Sequence, residues 1–173
     1  MTAGGPALRR VVDPPPGAAE ALGDLWITVT EAGGAVDFVP GWDPGEIRDL
    51  AAATIAAVAA GTTRMIVAGD PAAPDGTVFL APGSGIAAHR ADVQRLMVRP
   101  ELQGNGLGGA LLEAAVADAR ELGFTMLTLG ARGGTPLPHF YADRGFTEYG
   151  RLGGGVRLSA DDDRDVHLFV RYL

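Results

Sequence analysis

Cysteine is missing from the 173-residue sequence. Its absence excludes disulfide bonds, thiolate metal sites and any mechanism that passes through a cysteine acyl-enzyme. A chain of this length can bury an adequate core without such cross-links. The composition, with 47% hydrophobic and 20% charged residues, is typical of a globular protein. We therefore expect a single domain over residues 1–173.

Lysine is missing as well, since all 14 basic residues are arginine. This absence excludes a catalytic Schiff base on a lysine side chain. Against these cations stand 21 acidic residues, which give a formal net charge of −7. Such a charge disfavours nucleic acid as a partner and favours encounter with cationic ligands.

Long hydrophobic runs are also lacking. The longest run of small apolar residues, 50–60, is too short to span a bilayer. The first residues lack the basic stretch followed by an apolar stretch that is typical of a signal peptide. From these features we expect a cytoplasmic protein that has no membrane partner.

The sequence does contain a regular succession of strand and helix signals. Runs of apolar and β-branched residues predict seven strands, at 7–12, 63–68, 76–81, 91–98, 125–129, 147–152 and 167–172. Helical spacing of apolar residues and capping signals predict four helices, at 18–30, 43–61, 106–122 and 136–144. The segments 70–75 and 161–165 are expected to be turns between strands. The predicted order is β-α-α-β-β-β-α-β-α-β-β.

The most informative segment is a glycine-rich turn that joins the fourth predicted strand to the third predicted helix. It contains Gly104, Gly106, Gly108 and Gly109. Because glycine has no Cβ, an anion can approach the backbone closely. The first turn of the helix directs unpaired N–H groups and its positive dipole end at that anion. The segment predicts a site for a phosphorylated ligand.

The glycine spacing also fits the dinucleotide fingerprint G-x-G-x-x-G, which would suggest an NADP-dependent reductase. That motif requires its first glycine directly after the strand and an acidic residue about 20 positions later, at the end of the next strand. Here residues 99–102 intervene, and the next apolar run leads to Arg132 without an acid. The dinucleotide interpretation is therefore the weaker one.

Two motifs, in this order, resemble those of the GNAT superfamily of N-acetyltransferases. Gln103-Gly-Asn-Gly-Leu-Gly108 is similar to the family's pyrophosphate loop Q/R-x-x-G-x-G/A, and Phe140-Tyr-Ala-Asp-Arg-Gly-Phe146 is similar to its F-Y-x-x-x-G-F signature. The link 99–103 has the related form Arg/His-Pro-x-x-Gln. The resemblance is specific over residues 91–149. It implies an α/β (α+β) fold with a mixed, centrally splayed sheet of about seven strands and flanking helices.

The resemblance also implies an activity. It predicts an enzyme that moves an acetyl group from acetyl-CoA to a primary amine by direct transfer in a ternary complex, with CoA as product. The amine would belong to a small molecule or to an exposed peptide or protein amine. The absence of cysteine agrees with direct transfer. A catalytically silent module that binds acyl-CoA is the alternative, and it would tolerate the loss of Tyr141.

The resemblance implies, further, which residues bind acetyl-CoA. Backbone groups of Leu96, Met97 and Val98 would pair with pantetheine as a neighbouring strand does. The pyrophosphate would contact Gln103 and the amides of Gly104, Asn105, Gly106, Leu107, Gly108 and Gly109. Many relatives carry an asparagine a few residues before the signature tyrosine. The stretch 130–138 has none, and Thr135 or Arg132 could replace it.

Two residues are the main candidates for proton transfer. By resemblance, Tyr141 lies beside the CoA sulfur and donates a proton to the departing thiolate. Asp92 occupies the position at which histone-acetylating relatives carry a glutamate base, and its shorter side chain would need a bridging water. The alternatives are a tyrosine packed in the core and an aspartate that merely faces water. His89 and His139 are weaker candidates.

The acceptor side of the site has the weakest signals. The resemblance places it at the first two helices and their loop, where Trp26, Phe38 and Trp42 could form an apolar wall. Glu31, Asp37 and the aspartate run 161–165 could attract a cation. Three scattered histidines predict no metal site. The identity of the amine, the acyl-chain preference and the choice between monomer and homodimer stay open.

Overall fold

The computed structural model describes residues 7–173 and is built around one seven-stranded sheet. The strands are β1 (Leu8–Val11), β2 (Arg64–Asp70), β3 (Ala73–Pro82), β4 (Arg90–Val98), β5 (Met126–Arg132), β6 (Thr147–Ser159) and β7 (Asp162–Tyr172). The α-helices are α1 (Ala18–Glu31), α2 (Pro44–Ala59), α3 (Leu107–Glu121) and α4 (Leu137–Ala142). Short 3₁₀ turns precede β4 and α3. This order of elements is the one that the sequence predicts.

The sheet is mixed, with the strand order β1-β2-β3-β4-β5-β7-β6. All neighbouring strands are antiparallel except β4 and β5, which are parallel and are joined through α3. A parallel pair needs such a crossover, because the chain must return to the same end of the sheet. The parallel pair lies in the middle of the sheet, and the candidate site lies there too.

Each face of the sheet is covered by a separate layer of helix. On one face, Leu22, Leu25 and Trp26 of α1 are fully buried against Met65 and Phe79 of the sheet. Their spacing of three and four residues places them on one side of the helix. The other face is covered by α3 and α4, whose apolar residues share a second core cluster with β4, β5 and β7. The sheet therefore separates two cores, and any opening through it connects the two layers.

The β2–β3 connection is tighter than the sequence predicts. Residues 70–75 were expected to form the turn, but β2 extends to Asp70 and β3 begins at Ala73. The Asp70 carboxylate accepts a hydrogen bond from the Ala72 N–H at 2.9 Å, so the aspartate itself closes the turn. Of the two prolines in this segment, Pro71 lies in the turn and Pro74 lies at the adjacent register shift.

The β6–β7 hairpin is also longer than predicted, and the expected turn at 161–165 is wrong for most of its length. The turn occupies residues 160–161, and the following aspartates belong to β7. Asp163 pairs with Arg157 at 2.7 Å, and Asp165 accepts the N–H of Gly154 at 3.0 Å. A cross-strand arginine pair and a backbone N–H thus accommodate a run of carboxylates that composition alone assigns to a loop.

Candidate active site

The central feature of the site is a split between β4 and β5. The two strands pair only at Arg90 with Met126, Ala91 with Leu127 and Asp92 with Thr128. Beyond Asp92 they separate, and a cleft of about 1200 Å³ opens between them. The part of β4 at 93–98 keeps its pairing with β3 on one side, so its backbone groups on the other side face the cleft. A ligand that carries amide groups can pair with that free edge.

A bulge in β4 accompanies the split. The pairing of β4 with β3 shifts register between Gln94 and Met97, and Arg95 adopts the left-handed conformation with φ of 49°. Among residues 7–173, Asp37 with φ of 72° is the one other non-glycine residue with a positive φ. The two contact each other, since Arg95 Nε lies 3.5 Å from Asp37 Oδ2. Strained backbone of this kind persists where the surroundings hold it, and it is concentrated at functional sites.

The glycine loop forms the wide end of the cleft. Gly104 and Gly106 have φ of 79° and 84°, and a Cβ at either position would point into open space. Their requirement for glycine is therefore conformational and not one of packing. The first helical hydrogen bond of α3 runs from Ala110 N–H to Gly106 O at 3.0 Å. The amides before Ala110 are thus free for an anion, as at other helix N-termini.

The structure brings most of the predicted cofactor residues together. The cleft is lined by Leu96, Met97, Val98, Gln103, Gly104, Gly106, Gly108 and Gly109. The Gln103 side chain donates to Val98 O at 3.0 Å, which ties the loop to the end of β4. Asn105 and Leu107 are not part of the lining; Asn105 is exposed and Leu107 packs against the core below α3.

Tyr141 lines the cleft from α4 and is almost fully buried, with 7% of its surface exposed. Its ring lies among Phe140, Phe146 and Phe169, at centroid distances of 5.1, 5.9 and 6.1 Å. Burial raises the pKa of Tyr141 to about 12, because the phenolate would lose its hydration. The phenol therefore stays protonated at every pH at which the protein would work, as a proton donor must.

Asp92 stands at the apex of the split. Its carboxylate accepts a hydrogen bond from the hydroxyl of Thr128, the residue opposite it in β5. Ala91 and Val93 belong to the same core cluster as Tyr141, so Asp92, which alternates with them, points to the opposite face of the sheet. The Asp92 carboxylate and the Tyr141 phenol thus line one cleft from its two sides.

The side of the cleft that faces away from α3 and α4 is walled by the loop between α1 and α2. Gly33, Gly34, Ala35, Val36 and Asp37 line the opening. This loop is fixed from three directions, by the contact of Arg95 with Asp37, by Arg132 and by Trp26. Arg132 donates to Gly33 O at 3.1 Å, and Trp26 Nε1 donates to Val36 O at 2.7 Å. A loop held in this way can position an acceptor group.

Of the residues predicted for the acceptor side, Asp37 lines the cleft, whereas Trp26, Phe38 and Glu31 do not. Trp26 is fully buried and packs edge-on against Phe38, which is half-buried and in turn contacts Trp42. The exposed Glu31 accepts the N–H of Gly41 at 2.9 Å and so closes the α1–α2 loop. All three support the wall of residues 33–37 from behind.

The stretch that lacks the expected asparagine is shaped by packing. Thr135 Oγ1 donates to Arg132 O at 2.7 Å and accepts the N–H of Leu137, so it forms the turn that starts α4. Gly134 has φ of 72°, and a Cβ there would displace the guanidinium of Arg164. An asparagine at this position would therefore be strained in its backbone. Burial and the neighbouring Arg164 lower the pKa of Arg132.

The histidines lie elsewhere. His89 and His139 are exposed and do not line the cleft, while His167 Nδ1 lies 3.2 Å from Glu148 Oε2 on the hairpin. Within residues 7–173, no three histidine, aspartate or glutamate side chains are grouped so that they could hold a metal ion.

Sequence reasoning missed two residues of this site, Arg95 and Thr128. Thr128 had a signal in the sequence, because it is a polar residue in the middle of a predicted apolar strand. The neighbouring predicted strand carries Asp92. Arg95 had no such signal, because nothing in the sequence predicts a left-handed arginine inside a strand.

Comparison with known proteins agrees with this geometry. A family model described as an acetyltransferase (GNAT) domain matches residues 57–148, more than half of the chain. The match includes β4, the glycine loop, α3 and α4. No curated protein sequence matches the chain.

Solved structures share the fold over nearly the whole chain. A GNAT-family acetyltransferase from Streptococcus pneumoniae is 20% identical, with a TM-score of 0.74 over 96% of this chain and 100% of that one. A ribosomal-protein-alanine N-acetyltransferase from Brucella melitensis is 17% identical, with a TM-score of 0.75 over 96% and 99%. A nourseothricin acetyltransferase is 31% identical over 64% of this chain and 65% of its own, with a TM-score of 0.54. Throughout residues 7–173, each helix is too short or too polar to cross a membrane.

Proposed function

The chain belongs to the GNAT acetyltransferase family and is an N-acetyltransferase, and we propose that it transfers an acetyl group from acetyl-CoA directly to a primary amine. The amine would belong to a small molecule or be an exposed peptide or protein amine. One observation carries the proposal: the split between β4 and β5 has its apex at Asp92 and its wide end at the glycine loop. A single extended ligand can therefore reach both places.

The residues present fit acetyl-CoA, the acyl donor that this family generally uses. The free edge of β4 at 93–98 offers backbone groups to a chain of amides such as pantetheine. The loop around Gly104 and Gly106 offers unpaired N–H groups and a helix dipole to a diphosphate. The donor supplies an activated thioester, and the protein's contribution is to align it with the amine and to move protons.

Asp92 and Tyr141 are the residues that we assign to proton transfer. The amine nitrogen forms a bond to the thioester carbonyl carbon and gives up one proton, while the C–S bond breaks and its electron pair leaves on sulfur. Asp92 accepts the amine proton through a bridging water, and Tyr141 donates its phenolic proton to the sulfur. Exchange with solvent then restores both groups. Thr128 fixes the Asp92 carboxylate at the apex.

The acceptor amine enters, in this proposal, from the side of the α1–α2 loop. Asp92 points to that face, whereas the opposite face is filled by α3, α4 and the aromatic cluster around Tyr141. Residues 33–37 form the wall along which the acceptor binds. Trp26, Phe38 and Glu31 support that wall and do not themselves contact the acceptor.

Thermal unfolding with and without ligand tests the proposal. Acetyl-CoA or CoA at 100 times the dissociation constant should stabilise the folded chain by about 2.7 kcal/mol, and NADPH should not. The Gly106→Glu variant should lose this stabilisation. A panel of amines would then be tested as acceptors, with turnover measured as the release of free thiol from acetyl-CoA. The amines that react identify the acceptor class.

Gly123→Glu is the matched control. Gly123 has φ of 81° and open space at its Cβ position, like Gly106, but it ends α3 on the far side from the cleft. Both variants carry the same strain and the same added charge, so a difference in CoA binding reports the loop alone. Stabilisation by NADPH and not by CoA would contradict the proposal.

A further inference from the structure

Arg144 holds its guanidinium against the first turn of α3. A Cβ added to Gly109 would lie 3.0 Å from Arg144 Nε and 3.1 Å from its Nη2. The guanidinium is stacked on the ring of Phe140 at 3.9 Å from its centroid, and its Nη1 donates to Phe140 O at 2.9 Å. Both Arg144 and Phe140 line the cleft together with Gly106 and Gly108. The cation is thus held in a fixed place beside the free amides of the loop.

That position is unfavourable for a cation unless an anion joins it. The N-terminus of a helix carries about half a positive charge, which repels a guanidinium. Within residues 7–173, no carboxylate lies within 4 Å of Arg144. The neighbouring Arg171 differs in this respect. It also lies over an aromatic ring, that of Phe146, but it pairs with Glu113 at 2.8 Å.

Gly109 makes room for this arrangement. It is the third residue of α3, where glycine costs about 1 kcal/mol of helix stability relative to alanine. Its φ is not in the left-handed region, so the backbone does not require glycine there. An alanine Cβ would instead press on Arg144 at 3.0 Å. The chain therefore accepts a less stable helix start in the place where the guanidinium lies.

We propose that Arg144 is a phosphate ligand, which adds a guanidinium to the amides of the loop in binding the nucleotide part of the acyl donor. This inference rests on the proposed function, since the phosphate belongs to CoA. The guanidinium's planar array of donors matches two phosphate oxygens, and such charge-assisted bonds are about twice as strong as neutral ones. The phosphate is that of the diphosphate or the 3′-phosphomonoester, which share this chemistry.

Binding measurements on Arg144→Gln and Arg144→Lys test the proposal. Calorimetric titration with CoA should show a dissociation constant raised about 10-fold or more in Arg144→Gln, and raised less in Arg144→Lys, which keeps the charge but not the fork. The salt dependence of binding should become shallower in Arg144→Gln. Arg120→Gln is the control, because it removes the same charge from the far end of α3. That control should bind CoA as the wild type does.

Titration with 3′-dephospho-CoA separates the two phosphates. A loss of affinity in Arg144→Gln for both ligands assigns the guanidinium to the diphosphate, and a loss for CoA alone assigns it to the 3′-phosphate. Melting of the ligand-free variants shows that they fold. CoA affinities of Arg144→Gln and Arg144→Lys within twofold of the wild type would overturn the inference and leave the proposed function standing. A wild type that binds no CoA would overturn both.

Discussion

The two halves of the cleft are built in different ways. The half that we propose for the donor, residues 96–109 with α4, takes its shape from backbone conformation, as the positive φ of Gly104 and Gly106 shows. The half that we propose for the acceptor, residues 33–37 with their partners, takes its shape from side chains. Arg132 reaches Gly33 across 99 positions of sequence, whereas the Gln103 side chain bonds a carbonyl only five positions away. The donor half thus depends on local backbone conformation, and the acceptor half depends on contacts between residues far apart in sequence.

This difference explains why the donor half can be read from a sequence and the acceptor half cannot. A glycine that must adopt a left-handed conformation is visible as a letter at a fixed spacing. A contact such as that between Arg95 and Asp37 becomes visible only when the fold has placed the two residues together. It also suggests how one fold serves many acceptors: side-chain contacts can change while the backbone cradle is kept.

The largest effect is expected from a change at Tyr141, which tests whether the donor half takes part in chemistry as well as in binding. Tyr141→Phe should lower kcat at least 100-fold and leave the dissociation constant of CoA within twofold, because only the proton donor is removed. The fold should persist, since no residue of the described chain hydrogen-bonds the Tyr141 hydroxyl. Steady-state kinetics and calorimetry measure the two quantities. Tyr172→Phe, 76% exposed and outside the cleft, is the control.

A kcat within threefold of the wild type would contradict the role of Tyr141. The thiolate would then take its proton from water, and the donor half would be a binding device alone.

The next largest effect on kcat is expected at Asp92, where the two halves of the cleft meet. Asp92→Asn should lower kcat about 10- to 100-fold with unchanged CoA binding, because the amide cannot accept the amine proton. Thr128→Val should cost less, and Thr128→Ser should restore activity by returning the hydroxyl. Kinetics over a pH series measure the losses. Asp49→Asn, an exposed change on α2, controls for charge. If Asp92→Asn kept full activity over the series, the base would be a chain of waters.

The fold was predicted well where its signals are local. The predicted helix at 106–122 corresponds to α3 at Leu107–Glu121, because a glycine with positive φ lies just outside each end, Gly106 before it and Gly123 after it. The second predicted helix is likewise confirmed, with Asp43 accepting the N–H of Gly45 at 2.9 Å as its cap. The prediction failed at 153–165, where three glycines and a run of aspartates indicate a loop. There the strands continue, because arginine partners and a register shift accommodate residues that are unfavourable in strands.

A third, smaller effect is a pH dependence of stability that comes from the donor half. The pKa of Tyr141 is raised to about 12 in the folded chain, against about 10 in an unfolded one. Below pH 10 the phenol is neutral in both states, and its contribution to stability is fully present. Between pH 10 and pH 12 only the unfolded state ionises, so stability is lost as pH rises. At pH 11 the loss is about 1.4 kcal/mol.

Urea unfolding at pH 9 and pH 11 measures this loss. The fall in the free energy of unfolding should be about 1.4 kcal/mol smaller in Tyr141→Phe than in the wild type. Equal falls in the two proteins would mean that the hydroxyl is hydrated in the folded chain, and the donor half would be more open than its aromatic packing indicates.

The smallest effect tests the strain that joins the halves, at Arg95. Arg95→Ala and Arg95→Gly both remove the contacts with Asp37, Gln94 and the ring of Trp26. Only alanine keeps the cost of a positive φ, so the glycine variant should be the more stable by about 1 kcal/mol in urea unfolding. Equal stabilities would show that β4 relaxes when the guanidinium is lost. The bulge, and with it the opening of β4 from β5, would then depend on a side chain of the acceptor half, and the division between a backbone-built half and a side-chain-built half would fail at its junction.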